Sequence, residues 1–213
     1  MHYCRGFVAF VIAVAIAWTP GWARKEYGSV PDGYHDQILE MALEENIATP
    51  EIHRKYEPAI VSYQKSVAIG LKQQGIGVET MRDGLVVVAT LHASEMFAPN
   101  DTLLLPGAGI KLRHFTGMLT QPDLYKMIIA VHSDDTGSEE YVNALTEARA
   151  EAVYGWFEAK GLDVAAVVPY GLGADDPLKA NNSRANRDTN RRVEIYLVPG
   201  PVMLELVKAG KLK

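Results

Sequence analysis

Arg149 stands where an apolar side chain belongs. From Glu139 onward, Val142, Leu145, Arg149, Ala152, Val153 and Trp156 follow steps of three and four residues, so on a helix they share one face. A guanidinium within such a stripe needs a partner, because burying an unpaired charge costs several kcal/mol. A carboxylate of the same chain, or a stem long enough to reach solvent, would satisfy it structurally. The nearest acids lie just upstream, in His132-Ser133-Asp134-Asp135-Thr136-Gly137. An acid and a guanidinium converging there would suit a zwitterionic ligand, the acid taking an ammonium and the guanidinium a carboxylate in a forked pair. His132 with two aspartates also has the residue types of a metal site or an acid–base pair. No distant His or Cys at ligand spacing completes such a site, so neither a metal nor a cofactor is expected. Asp135 alone reads as a solvated turn residue.

The elements around these groups are legible from period and punctuation. Lys126 to Val131 is a short apolar run of the kind a buried strand shows. It ends just before His132, and the helix expected over Glu139 to Lys160 stops at Gly161, a residue suited to the left-handed position past a helix end. A strand end that turns into a helix start is where α/β sheets commonly place ligand sites. Upstream, Ile76 to Met81 and Leu85 to Leu91 read as two strands joined by a hairpin turn at Asp83-Gly84. Gly107 to Leu119 predicts a helix burying Ile110, Leu112, Phe115 and Leu119. Val164 to Val168 leads into a β run at Pro169 to Gly171, and Arg192 to Val198 alternates inward and outward as a last strand. Strands alternating with helices predict an α/β fold with a mixed sheet and helices packed on it.

Ahead of this region, Tyr34 to Asn46 has helical spacing with a polar face. Thr49-Pro50-Glu51 has the form of a second helix start, predicting a helix to about Gln74 with a kink near Pro58. This leader, residues 24–74, could pack on the following domain or act as a spacer. The tail, residues 200–213, predicts a short amphipathic helix through Val202, Leu204, Leu206 and Val207, packed on its own domain.

Composition narrows the function classes. The 213 residues are 48% hydrophobic and carry a net charge of -5, which excludes collagen-like, low-complexity and wholly disordered chains. The basic surplus that a polyanion binder uses is missing, so no nucleic-acid partner is expected. Twelve apolar residues from Phe7 to Trp18 follow Arg5 and precede Pro20, Gly21 and Ala23. That order predicts a secretory signal peptide over residues 1–23, cleaved after Ala23. A retained anchor is the alternative, but spanning a bilayer takes about 20 apolar residues. Cys4 is the only cysteine. Its removal with the signal would leave a mature chain without disulfides, thiol chemistry or a transmembrane span.

The stretch His132 to Ala150 resembles the OmpA-like C-terminal domain motif, H-T-D-x-x-G-x-x-x-x-N-x-x-L-S-x-x-R-A. The similarity continues through Tyr170-Gly171-Leu172-Gly173, Asp176-Pro177 and Asn181 or Asn182, and closes on Asn190-Arg191-Arg192-Val193-Glu194. Met96-Phe97-Ala98-Pro99-Asn100 is similar to the family's phenylalanine-bearing loop. Departures are mild: Val131 stands where the family usually has glycine, and Ser133 and Thr146 exchange one hydroxyl for another. The resemblance covers residues 75–199 and implies a β/α/β/α/β-β domain that binds peptidoglycan non-covalently through the diaminopimelate of the stem peptide. It implies that Asp134 and Arg149 are the gripping residues, with Asn143, the loop around Phe97, and Arg191 near the bound peptide.

The expected function is therefore that of an exported, non-enzymatic envelope protein, periplasmic and outer-membrane associated, that anchors or organises the envelope. The leader or the tail could dock another envelope protein. An outer-membrane barrel would need about eight strands ahead of the domain, and a flagellar-type stator would need a membrane helix bearing an acid. Two other classes compete: a scaffold or assembly protein that keeps the fold without wall binding, and an enzyme acting on the wall. Against the enzyme, no nucleophile–base arrangement or metal-ligand pattern stands out.

Overall fold

The computed structural model describes residues 30–212, so the expected signal segment and its cleavage site lie outside the described residues. Five strands form one mixed sheet in the order β1-β2-β5-β3-β4. They are β1 (Gly77–Met81), β2 (Val86–His92), β3 (Tyr125–His132), β4 (Val167–Gly171) and β5 (Arg192–Pro199). All neighbours run antiparallel except β3 and β4, which are parallel. The β1–β2 connection carries positive φ at Arg82, Asp83 and Gly84, the conformation the Asp-Gly pair was expected to supply.

One sheet face holds the main core. Val87, Ala89 and Leu91 of β2, Met127, Ile129 and Val131 of β3, and Val193, Ile195 and Leu197 of β5 are all buried there. Three helices cover this face: α3 (Glu57–Gln73), α6 (Glu139–Ala159) and the C-terminal α8 (Pro201–Lys208). In α8, Val202, Met203, Leu206 and Val207 are buried, while Leu204 is only partly so. The α6 stripe is centred on Val142, Thr146, Arg149, Ala150, Val153 and Phe157. Phe157 takes the inner place that the spacing gave to Trp156, which is half-buried. At Gly171 a side chain would be impossible without moving the helix, since its Cβ would lie 2.2 Å from the backbone nitrogen of Glu147. The glycine thus sets how closely α6 lies on β4.

The other face is covered as well, which the alternation of β5 does not predict. All eight residues of β5 are buried, so its polar positions are internal. The leader covers the apolar part of this face, while His132 and Asp176 engage Glu194 and Arg192. The leader's expected single helix is two, α1 (Tyr34–Glu40) and α2 (Leu43–Ala48), broken where Met41 and Ala42 turn extended. This break lets Ile38 pack with Ala166 and Val168 while Leu43 and Ile47 pack on Val86, Ile128 and Tyr196. Thr49 does not cap a following helix. Its N–H and hydroxyl both donate back to the Glu45 carbonyl, closing α2. The next helix starts instead at Glu57, with Pro58 inside its first turn, where a missing N–H costs nothing.

Polar groups hold the leader down. Arg82 donates to the carbonyls of Ile47 and Pro50, each at 2.9 Å, and the Lys126 ammonium donates to Thr49 Oγ1 at 2.8 Å. Burial pushes Lys126 down to about 8, with Arg82 acting in the same direction and Glu45 against it. Arg82→Ala removes two such bonds and should cost about 1–3 kcal/mol. Hydrogen exchange should quicken in residues 43–50 while β3 and β5 stay protected; unchanged exchange in 43–50 would show that the leader is secured without the Arg82 bonds.

Between β2 and β3, the helix expected over Gly107 to Leu119 divides into α5 (Ala108–Leu112) and a 3-10 segment, Arg113–Leu119. The tighter three-residue period brings Leu112 and Phe115 to the same side, both fully buried. Ile110, expected inside, is 57% exposed.

Candidate functional site

At the C-terminal end of β3 the chain leaves the sheet, and Ser133 donates its N–H to the Gly173 carbonyl. Asp134 follows, 3% exposed, at the root of the loop into α6. Ser138 caps that helix by accepting the Tyr141 N–H. Tyr141, Leu145 and Arg149 then recur every four residues along one side of α6, and all three line a cavity of about 560 Å3. The opposite wall comes from the Phe97–Asn100 loop, which follows α4 (Ala93–Met96), and from α7 (Arg184–Asn190) with the residue after it, Arg191.

Arg149 is held by backbone, not by a carboxylate. Its Nε donates to the Asp101 carbonyl at 2.8 Å and its Nη2 to the Ala98 carbonyl at 3.1 Å. The guanidinium lies over the Phe97 ring at 4.9 Å, a cation–π placement that keeps its plane fixed. Among the described residues no carboxylate forms an ion pair with it. Burial pushes its pKa down, the Arg191 charge adds to this, and Tyr141 and Asp101 oppose it. The result is a rigid, buried cation whose remaining donors are not neutralised by an acid among the described residues.

Asp134 is different. One oxygen accepts the Thr136 N–H at 2.7 Å and the other accepts from Arg191 Nη1. Burial would raise this carboxyl. The hydrogen bonds from Thr136 and Arg191, with the guanidinium charge, outweigh burial and hold it below the usual carboxylate range. Arg191 also reaches Asp188 through Nη2 at 3.0 Å, so it sits between two acids.

Of the residues singled out in the sequence, Phe97, Asp134, Arg149 and Arg191 meet at one cavity. Asn143 is not among the residues lining it. It lies on a different side of α6 from Arg149, with its Oδ1 against Gly173, where any Cβ would sit 1.9 Å away. His132 points elsewhere too. It is 1% exposed and faces Glu194 at 3.1 Å in a buried cluster with Arg192 and Tyr196. No group of three or more His, Cys, Asp or Glu able to hold a metal occurs among the described residues.

Sequence reasoning missed Arg184, Asp188 and Tyr141 as lining groups. The signal for the first two was a short helix capped by Ser183, whose Oγ accepts the Asn186 N–H, with the two charges one turn apart. The carbonyls that hold Arg149 leave no mark in the side-chain pattern.

The comparisons with known proteins agree with this architecture. Residues 96–191 match the OmpA family. The outer-membrane lipoprotein YfiB of Pseudomonas aeruginosa is 36% identical over 107 residues, which are 50% of this chain and 64% of that protein. Outer membrane protein A of Bordetella avium is 36% identical over 76 residues, 36% of this chain and 39% of that protein. The chain thus spans less than two thirds of these relatives. Among solved structures, a MotB-like protein of Desulfovibrio vulgaris is similar with a TM-score of 0.61 at 24% identity, covering 68% of this chain and 96% of that one, a likeness of fold. The cell wall anchor of the T6SS from Pseudomonas aeruginosa gives 0.53 at 25% identity, covering 64% and 96%. No helix among the described residues is long and apolar enough to cross a membrane. Residues 96–191, which hold every lining residue from Phe97 to Arg191, are thus the part of this chain that is similar to the OmpA family.

Proposed function

We propose that this protein binds peptidoglycan non-covalently by gripping the diaminopimelate of a stem peptide, and so anchors or organises the envelope from the periplasm, in association with the outer membrane. The observation that carries the reading is Arg149: a buried guanidinium facing a cavity, positioned by two carbonyls and a phenyl ring and left without a carboxylate among the described residues. A chain that needed Arg149 only for stability would have paired it with an acid, because an uncompensated cation is costly. Across the cavity Asp134 supplies the anion for an ammonium. The likeness to a cell wall anchor supports the assignment.

Diaminopimelate matches this pair because its side chain ends in both an ammonium and a carboxylate. The carboxylate completes the Arg149 fork. The ammonium shares Asp134 with Arg191, whose second contact, Asp188, keeps it tethered. Each charge-assisted hydrogen bond contributes about 1.5–3 kcal/mol.

A scaffold that has given up wall binding is the second reading, favoured by the engagement of Asp134 with Arg191. Co-sedimentation of the purified protein with diaminopimelate-type sacculi decides between them. The wild type should pellet with sacculi; a wild type that stays in the supernatant supports the scaffold.

A further inference from the structure

The charges lining the cavity do not balance. Arg149, Arg184 and Arg191 face Asp134 and Asp188, leaving one positive charge in excess. Arg191 is neutralised by ion pairs with both acids. Arg149 is the cation assigned above to the side-chain carboxylate of diaminopimelate. That leaves Arg184, exposed on the first turn of α7, with no side-chain hydrogen bond or ion pair among the described residues. Asp188 lies one turn further along α7 but is paired with Arg191 and not with Arg184.

We propose that Arg184 reads a second carboxylate of the ligand, the α-carboxylate of a stem peptide that ends in diaminopimelate. The assignment rests on the wall-binding reading and adds to it a preference for stems trimmed to that residue. A terminal diaminopimelate carries one ammonium and two carboxylates, a net charge of -1 that complements the excess charge of the cavity. Extending the stem by one residue converts that carboxylate to a neutral amide and carries the new terminus about 3.6 Å further along the chain. Arg184 opens the short helix α7, is exposed and lines the cavity, so it is free to meet a part of the stem that Arg149 does not hold. An exposed pair of this kind contributes modestly and is screened by salt, so it selects among stems without being required for binding.

Calorimetric titration at low salt tests this with a synthetic tripeptide ending in diaminopimelate, as the free acid and as its α-amide with the side-chain carboxylate intact. The wild type should bind the acid about fivefold more tightly than the amide. Arg184→Gln should bind both alike, at the wild-type affinity for the amide. A wild type that binds both peptides equally, or an Arg184→Gln variant that keeps the preference, overturns the assignment. In either case, loss of that binding in Asp134→Asn would show that the diaminopimelate reading still stands. A wild type that binds neither peptide overturns both.

Discussion

Asp134→Asn and Arg149→Ala should each abolish co-sedimentation with diaminopimelate-type peptidoglycan while leaving the circular dichroism of the domain unchanged. Asparagine keeps an oxygen for the Thr136 N–H but withdraws the charge that an ammonium needs. One or two charge-assisted bonds at about 1.5–3 kcal/mol each correspond to losses of about tenfold to about twenty-thousandfold. Arg149→Ala also releases the Ala98 and Asp101 carbonyls, so the Phe97 loop should loosen. Arg149→Lys separates charge from geometry. It keeps the cation but not the planar fork, and should recover only a small part of the affinity. A lysine variant that binds like the wild type would mean that Arg149 acts as a point charge.

The largest stability effect is expected on the other face of the sheet. Glu194 accepts from Arg192 Nε at 2.7 Å and Tyr196 at 2.6 Å, and faces His132 at 3.1 Å. Arg192 and His132 are each 1% exposed. Glu194→Ala strands a buried guanidinium and should cost about 3–5 kcal/mol in urea unfolding at pH 7. A loss below about 1 kcal/mol would mean that Asp176, 3.1 Å from Arg192 Nη2, compensates by itself. The same carboxyl makes stability depend on pH. Burial alone would raise it, but the bonds from His132, Arg192 and Tyr196 hold it at about 2, against 4.5 for a free side chain. Its contribution is fully present above pH 4.5 and is lost as pH falls towards 2, by about 3 kcal/mol in all. Glu194→Gln should flatten that part of the acid limb.

What the sequence disclosed, and what it hid, follows from the range of the interactions. The β1–β2 hairpin, β3 and α6 were legible because their signals are local: an Asp-Gly turn, an apolar run, a period of three and four. Arg149 stood out for the same reason, as a charge in an apolar stripe. The partner of Asp134 did not, since Arg191 is 57 residues away and only the closing of β5 beside β3 brings it near. The polar residues of β5 read as solvent-facing because their cover is remote in sequence: the leader packs on Tyr196, and Asp176 and His132 lie against Arg192 and Glu194. Thr49-Pro50-Glu51 shows the converse failure. The residues suit a helix start, but the Thr49 hydroxyl is engaged by Glu45 behind it. Asn143, placed at the ligand by family resemblance, lies against Gly173 outside the cavity lining.

Replacing diaminopimelate by lysine in a soluble stem tripeptide tests the central claim most directly, since lysine keeps the ammonium and deletes only the side-chain carboxylate. Titrated into the purified protein, the diaminopimelate peptide should bind at least about a hundredfold more tightly than the lysine peptide, the equivalent of a forked pair of charge-assisted bonds. Equal affinities for the two would contradict the assignment of Arg149 to that carboxylate, and with it the grip proposed for this site.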